Sequence, residues 1–138
     1  MSKSKVFVDT SGFYALLAQQ DPAHKRAAEY VDEWRRHGRY SFTSDYVVDE
    51  TATLLKRRGN GRLVRPFFAL LDSTEALSLV FVDEERFRNG REFFLKHDDH
   101  GYSFTDCTTF LLMKELGALE ALTTDRHFPE AGLAALLL

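Results

Sequence analysis

Short apolar runs alternate along this chain with longer stretches of helical period, and two of the short runs lead straight into a carboxylate. Val6-Phe7-Val8 is followed by Asp9, and Leu122-Thr123-Thr124 by Asp125. Runs this short read as strands covered on both faces, because a buried helix would need a longer apolar segment. Strand and helix in alternation argue for a parallel sheet with helices on both sides, an α/β fold. In such a sheet the C-terminal ends of the strands share one rim, and ligands bind there.

In order, Lys5 to Val8 predicts a first buried strand. Thr10-Ser11-Gly12 reads as a turn, with Ser11 placed to cap a short helix carrying Phe13, Leu16 and Leu17. Pro22 opens a second helix through about Arg36. Tyr40 to Thr43 is a short strand. Ser44 caps a helix with Val47, Val48, Thr51, Leu54 and Leu55 on its inner stripe. Gly59-Asn60-Gly61 breaks the chain before a helix from roughly Leu63 to Asp72. Leu77 to Val82 is a strand, and Asp83 to Lys96 a helix with Phe87, Phe93 and Phe94 inward. After a polar loop, Phe104 to Leu116 is apolar nearly all round and predicts a buried helix. Ala121 to Thr124 is a strand, and Leu133 to Leu138 a final strand or docked tail.

The 138 residues predict one domain, 1–138, and 44% hydrophobic residues with 12 phenylalanines are enough for a core. A net charge of -3 gives no bulk attraction for nucleic acid, so any such binding needs a local patch. The single cysteine, Cys107, excludes an internal disulfide framework and suits a reducing, cytoplasmic setting. Met1 to Lys5 leads into only three apolar residues, which is not a signal peptide. No apolar run approaches the roughly 20 residues that span a bilayer.

Four acidic residues are candidates for chemistry: Asp9, Glu50, Asp106 and Asp125. Asp9 and Asp125 follow strands, where an Asp also commonly starts a turn. Glu50 lies at the edge of the inner stripe of its helix, roughly a quarter turn away, whereas Asp49 points into solvent. Ser103-Phe104-Thr105-Asp106 matches a capping box, which holds Asp106 at the positive end of a helix. Four carboxylates converging on one rim repel one another, and such a set suits a divalent cation with oxygen ligands, Mg²⁺ or Mn²⁺. Without the ion, crowding raises their pKa values.

Other features carry plainer readings. His97-Asp98-Asp99-His100 lacks the helical i, i+4 spacing of zinc motifs and reads as a solvated turn. His127 could approach the rim next to Asp125 but reads first as packed or exposed, and Cys107 as a small core residue. Lys56-Arg57-Arg58 with Arg62 and Arg65 is the densest basic cluster. It either complements a helix C-terminus or flanks the site as a phosphate contact, with Arg57, Arg58 and Arg62 the candidates. Phe67, Phe68, Phe93 and Phe94 read as core rather than base-stacking platforms, with a groove for a partner helix as the alternative for some. No phosphate-binding glycine loop is present.

The stretches VFVDTSGFYALL, SDYVVDETATLLKRR, YSFTDCTTFLLMKELG and LTTDRHFPEAG resemble the four motifs of PIN-domain ribonucleases, and among these the VapC-type toxins of toxin–antitoxin pairs. The resemblance covers essentially the whole chain. It implies a three-layer α/β/α sandwich with a central parallel sheet. It places the acidic metal ligands at Asp9, Glu50, Asp106 and Asp125, with Ser11 and Thr105 where hydroxyl residues support the site. It further implies Mg²⁺- or Mn²⁺-dependent cleavage of RNA, a homodimer, and inhibition by a cognate antitoxin. Two other readings stay open. One is a phosphatase of the haloacid-dehalogenase kind with Asp9 as nucleophile, although Ser11 stands where those enzymes carry a second Asp. The other is a non-catalytic module that binds RNA or protein.

Overall fold

The computed structural model describes residues 5–138; of the segment Met1 to Lys5, read above as no signal peptide, residues 1–4 lie outside the described residues. Five short strands form one sheet: β1 (Val6–Val8), β2 (Ser41–Ser44), β3 (Leu77–Val80), β4 (Glu120–Leu122) and β5 (Ala134–Ala135). Their order across the sheet is β3-β2-β1-β4-β5, and every pairing is parallel. The helices are α1 (Thr10–Leu17), α2 (His24–Arg36), α3 (Asp45–Arg57), α4 (Val64–Ser73), α5 (Glu84–Lys96), α6 (Phe104–Leu116) and α7 (His127–Glu130), with a 3₁₀ turn at Gly61–Leu63 before α4.

This order explains the layers. From β1 the chain steps outward through β2 to β3, then returns across β1 to β4 and β5. Parallel crossovers are right-handed, so the reversal puts α1 to α4 on one face and α5 to α7 on the other. The sequence expectation of an α/β/α sandwich is met. The central strand β1 is buried throughout, with Phe7 edge-on to Phe42 of β2. β3, at the edge, is half-buried at Leu77 and Val80 and exposed at Ser78 and Leu79 between them.

Several local expectations are corrected. Thr10-Ser11-Gly12 is the first turn of α1, not a loop, and Ser11 does not cap it. Asp9 occupies the cap position without a side-chain cap bond, which leaves its carboxylate free for other partners. Pro22 does not open α2; the helix starts at His24, after a turn in which Asp21 accepts from the Ala23 amide. Phe87 and Phe94 are not inward: they are 41% and 39% exposed and lie edge-on against Phe104. Phe68 is likewise exposed, whereas Phe67 is fully buried against Phe13. Ser44 caps α3 as expected, accepting from the Val47 amide at 3.2 Å.

Gly12 sets how closely α1 approaches the sheet. A Cβ there would sit 2.2 Å from the carbonyl oxygen of Leu122, at the end of β4. Only glycine allows this approach, and it brings the first turn of α1 directly over the end of β4.

Candidate active site

The chain reverses direction across the sheet at β1, so β1 and β4 open the crevice where parallel α/β sheets bind ligands. Asp9 follows β1 there and is buried, 7% exposed. Its amide donates to the Leu122 carbonyl at 3.2 Å, and its Oδ2 accepts from the Thr123 hydroxyl at 2.8 Å. The Thr123 Oγ1 also accepts from the Asp125 amide at 3.1 Å. It lies 3.0 Å from the Ser11 hydroxyl, which accepts from the Thr124 amide at 2.9 Å. One buried threonine thus ties together the two strand-end acids and the serine of α1.

Glu50 reaches the same crevice from α3. Its Oε1 accepts from the Thr10 hydroxyl at 2.6 Å. Thr10 in turn accepts from the Thr51 hydroxyl at 3.1 Å, and Thr51 also donates to the Val47 carbonyl. A relay of two buried hydroxyls therefore orients an exposed glutamate. Asp9, Glu50 and Asp125 line a cleft of about 450 Å³ with Thr10, Ser11 and Arg58.

Asp106 sits beside this cleft in the first turn of α6. The capping box is formed: Ser103 Oγ accepts from the Asp106 amide and Asp106 Oδ2 from the Ser103 amide, both at 2.9 Å. His127 stands between the third and fourth acids, its Nδ1 lying 3.4 Å from Asp106 Oδ2 and 3.1 Å from Asp125 Oδ1. The expectation of a merely packed or exposed histidine is corrected. Asp125 Oδ1 also accepts from the His127 amide at 2.9 Å, and this turn sets the ring's position. Tyr102 packs edge-on against the ring, 5.6 Å between centroids.

The electrostatics follow from the crowding. Burial, then the nearby charges of Glu50 and Asp106, push the Asp9 carboxyl up to about 7, against the Thr123 hydrogen bond that lowers it. Burial likewise raises Asp106, with the Asp125 charge adding and His127 opposing. Among the described residues, Arg58 is the one cation lining the cleft. A buried carboxylate facing others, with little positive charge near it, is a donor set that fits a hard divalent cation. Asp106, Asp125 and His127 can offer ligand atoms within 4.8 Å of one another.

The remaining candidates fall as follows. Thr105 is half-buried in the first turn of α6, and its carbonyl accepts from the Thr108 hydroxyl. Arg58 lies over the Tyr14 ring, 5.1 Å from its centroid. Arg62 lines a second hollow next to the cleft, and Arg57 is exposed in the last turn of α3. His97 contacts the Phe93 carbonyl through Nδ1, and His100 stacks on Tyr102. Cys107 is fully buried, and burial pushes its thiol up to about 11, so it is an inert core residue.

Thr10 and Thr123 went unmarked in the sequence, and His127 was weighed beside Asp125 but read as packed or exposed. The signal for Thr123 was available: a hydroxyl inside an apolar strand end needs a partner when buried. The histidine carried no comparable signal, because its role comes from α6 and the β4–α7 turn meeting in space.

With its carboxylates gathered at the switch point of a parallel sheet, the chain belongs to the PIN-domain family, whose model matches residues 6–133. It is 33% identical over 127 residues to the 23S rRNA-specific endonuclease VapC20 of Mycobacterium tuberculosis, covering 92% of this chain and 94% of that protein. The match holds in both the CDC 1551 and H37Rv strains. The crystal structure of M. tuberculosis VapC20, described as a sarcin–ricin loop cleaving toxin, superposes with a TM-score of 0.82 at 30% identity, over 94% of this chain and 97% of that one. A Pyrobaculum aerophilum protein, PAE2754, shares the fold with a TM-score of 0.68 at 16% identity, over 96% of this chain and 84% of that one.

Proposed function

We propose that this protein is a divalent-metal-dependent endoribonuclease, the toxin of a toxin–antitoxin pair, working from one domain on ribosomal RNA in the cytoplasm. The observation that carries the reading is Asp9, a buried carboxyl pushed up to about 7 amid further carboxylates at the switch point. Such an arrangement is costly to folding unless a cation joins it. Kinship with VapC20 supports RNA as the substrate and 23S rRNA as the class to test first.

Asp9, Glu50, Asp106 and Asp125 are the proposed ligands for Mg²⁺ or Mn²⁺. When bound, the ion supplies an activated water and neutralises charge on the scissile phosphate and its leaving oxygen. The chain's own residues do the positioning. Thr123 holds Asp9 Oδ2, Thr10 holds Glu50 Oε1, and Ser11 locks Thr123 and the β4 end against α1. Ser11 and Thr105 are the proposed supporting hydroxyls. Arg58, at the cleft wall, offers its guanidinium to a phosphate, with Arg57 and Arg62 extending the basic flank.

The proposed protein partners are a cognate antitoxin and a second copy of this chain. Support for self-association comes from an apolar face in which Phe87 and Phe94 flank Phe104, with Phe81 and Leu95 more than 60% exposed nearby in the chain. Light scattering on the purified chain tests this: a mass twice that of 138 residues is expected, and a monomer at high concentration contradicts it. For the activity, purified ribosomes and total RNA are incubated with the protein and Mn²⁺ or Mg²⁺, and cut sites are mapped by primer extension. Discrete metal-dependent cutting in 23S rRNA is the expected result; intact RNA of every class with both metals contradicts the reading.

A further inference from the structure

A second hollow, of about 520 Å³, adjoins the acidic cleft; Tyr14 and Asp21 line both. Its wall is the α1–α2 turn with Gln19, Gln20 and Asp21, faced by Asn60 and Arg62 from the turn after α3 and floored by Leu17 and Leu63. From these observations we propose that this hollow is the specificity subsite of the enzyme, holding one unpaired nucleotide next to the scissile phosphate and reading its base through Gln19 and Gln20. The proposal rests on the endoribonuclease reading given above and names a part of the molecule that would choose the RNA.

Three features support a base rather than a phosphate as the occupant. The first is the donor set. Gln19 and Gln20 are exposed amides, each with two donors and a carbonyl acceptor, suited to the mixed donor and acceptor edge of a base. Asp21 adds a carboxylate that repels phosphate but accepts from base amino groups or a ribose hydroxyl.

The second is rigidity. The turn is braced by its own hydrogen bonds: the Asp21 amide donates to the Ala18 carbonyl and the His24 amide to the Asp21 carbonyl, both at 2.9 Å. The Ala23 amide donates to Asp21 Oδ1 at 2.8 Å, and His24 Nδ1 lies 2.7 Å from the Ala15 carbonyl. Across the hollow, Asn60 donates to the Tyr14 hydroxyl and accepts from Arg62. A braced wall discriminates between bases, because a misfitting edge leaves polar groups unpaired that the wall cannot move to satisfy.

The third is the junction. Arg58, held over the Tyr14 ring, lies on the cleft side, so a strand crossing from cleft to hollow passes a guanidinium that can stack on a base or pair with its phosphate. The carboxylates and the amides are therefore joined by one continuous path.

The test uses short single-stranded RNAs spanning a mapped cut site, with each of the four bases placed in turn at the positions flanking the cleaved bond. The full chain and its Gln19→Ala/Gln20→Ala double variant are compared by kcat/KM under Mn²⁺. The expected result is a base preference at one flanking position that the double variant narrows by about tenfold, while preferences elsewhere are kept. An unchanged preference pattern in the folded variant overturns the subsite, and so does a wild type indifferent to both flanking bases. Failure of the wild type to cut any RNA with metal overturns the endoribonuclease reading itself, which separates the two failures.

Discussion

Burying a carboxyl among other carboxylates costs stability in the absence of a cation, and Asp9 does this at the end of the central strand. Its native pKa of about 7 stands above the ordinary 3.8, so the folded state holds a proton that the unfolded chain has released. Stability therefore falls as pH rises from about 4 towards 7, by up to a few kcal/mol in metal-free protein. Asp9→Asn removes this penalty while keeping an acceptor for Thr123. Metal-free wild type and Asp9→Asn are expected to melt at similar temperatures near pH 4, with the variant more stable by several degrees at pH 7. Calorimetry across that range checks it, and added Mn²⁺ should raise only the wild type. His127 makes its own prediction. Its Nδ1 lies buried between Asp106 and Asp125 at 3.4 and 3.1 Å with no hydrogen bond to either, a gap that a bound ion can organise, so His127→Ala is expected to weaken Mn²⁺ binding about 10- to 100-fold by titration calorimetry.

Two close approaches between elements require glycine. Gly12 lets α1 press on the carbonyl of Leu122, and Gly90 of α5 lets Thr108 of α6 come within 2.8 Å of where a Cβ would be. Gly12→Ala meets backbone and Gly90→Ala a methyl group, so each is expected to lose about 1–3 kcal/mol in urea unfolding, Gly12→Ala the more. The Ser103 capping box both starts α6 and aims Asp106, so Ser103→Ala is expected to cost about 1 kcal/mol and lower the cleavage rate as well. These elements also show what the sequence made legible. The strands, the Ser44 cap and the Ser103 box could be read because each rests on local spacing. The start of α1 was misread because Thr-Ser-Gly is turn chemistry when taken alone. Only the packing of Gly12 on Leu122 reveals it as a helix turn seated against a distant strand. Phe87 and Phe94 were misplaced for a related reason. Helical periodicity locates an apolar stripe, but Phe104 receives that stripe at its rim and leaves both rings partly open.

Across the whole molecule, a chain reversal at β1 gathers acids separated by more than a hundred residues and leaves a hollow beside them. Asp9 and Asp125 come from adjacent strand ends, while Glu50 and Asp106 come from helices on opposite faces of the sheet. The site therefore exists only when both faces are packed. The most direct test is RNA cleavage by the wild type and Asp9→Asn, each verified as folded, with Mn²⁺ or Mg²⁺ and again after chelation. Cutting by the wild type alone, abolished by chelation, is the outcome this structure calls for. Equal cutting by Asp9→Asn, or cutting that survives complete metal removal, would contradict it.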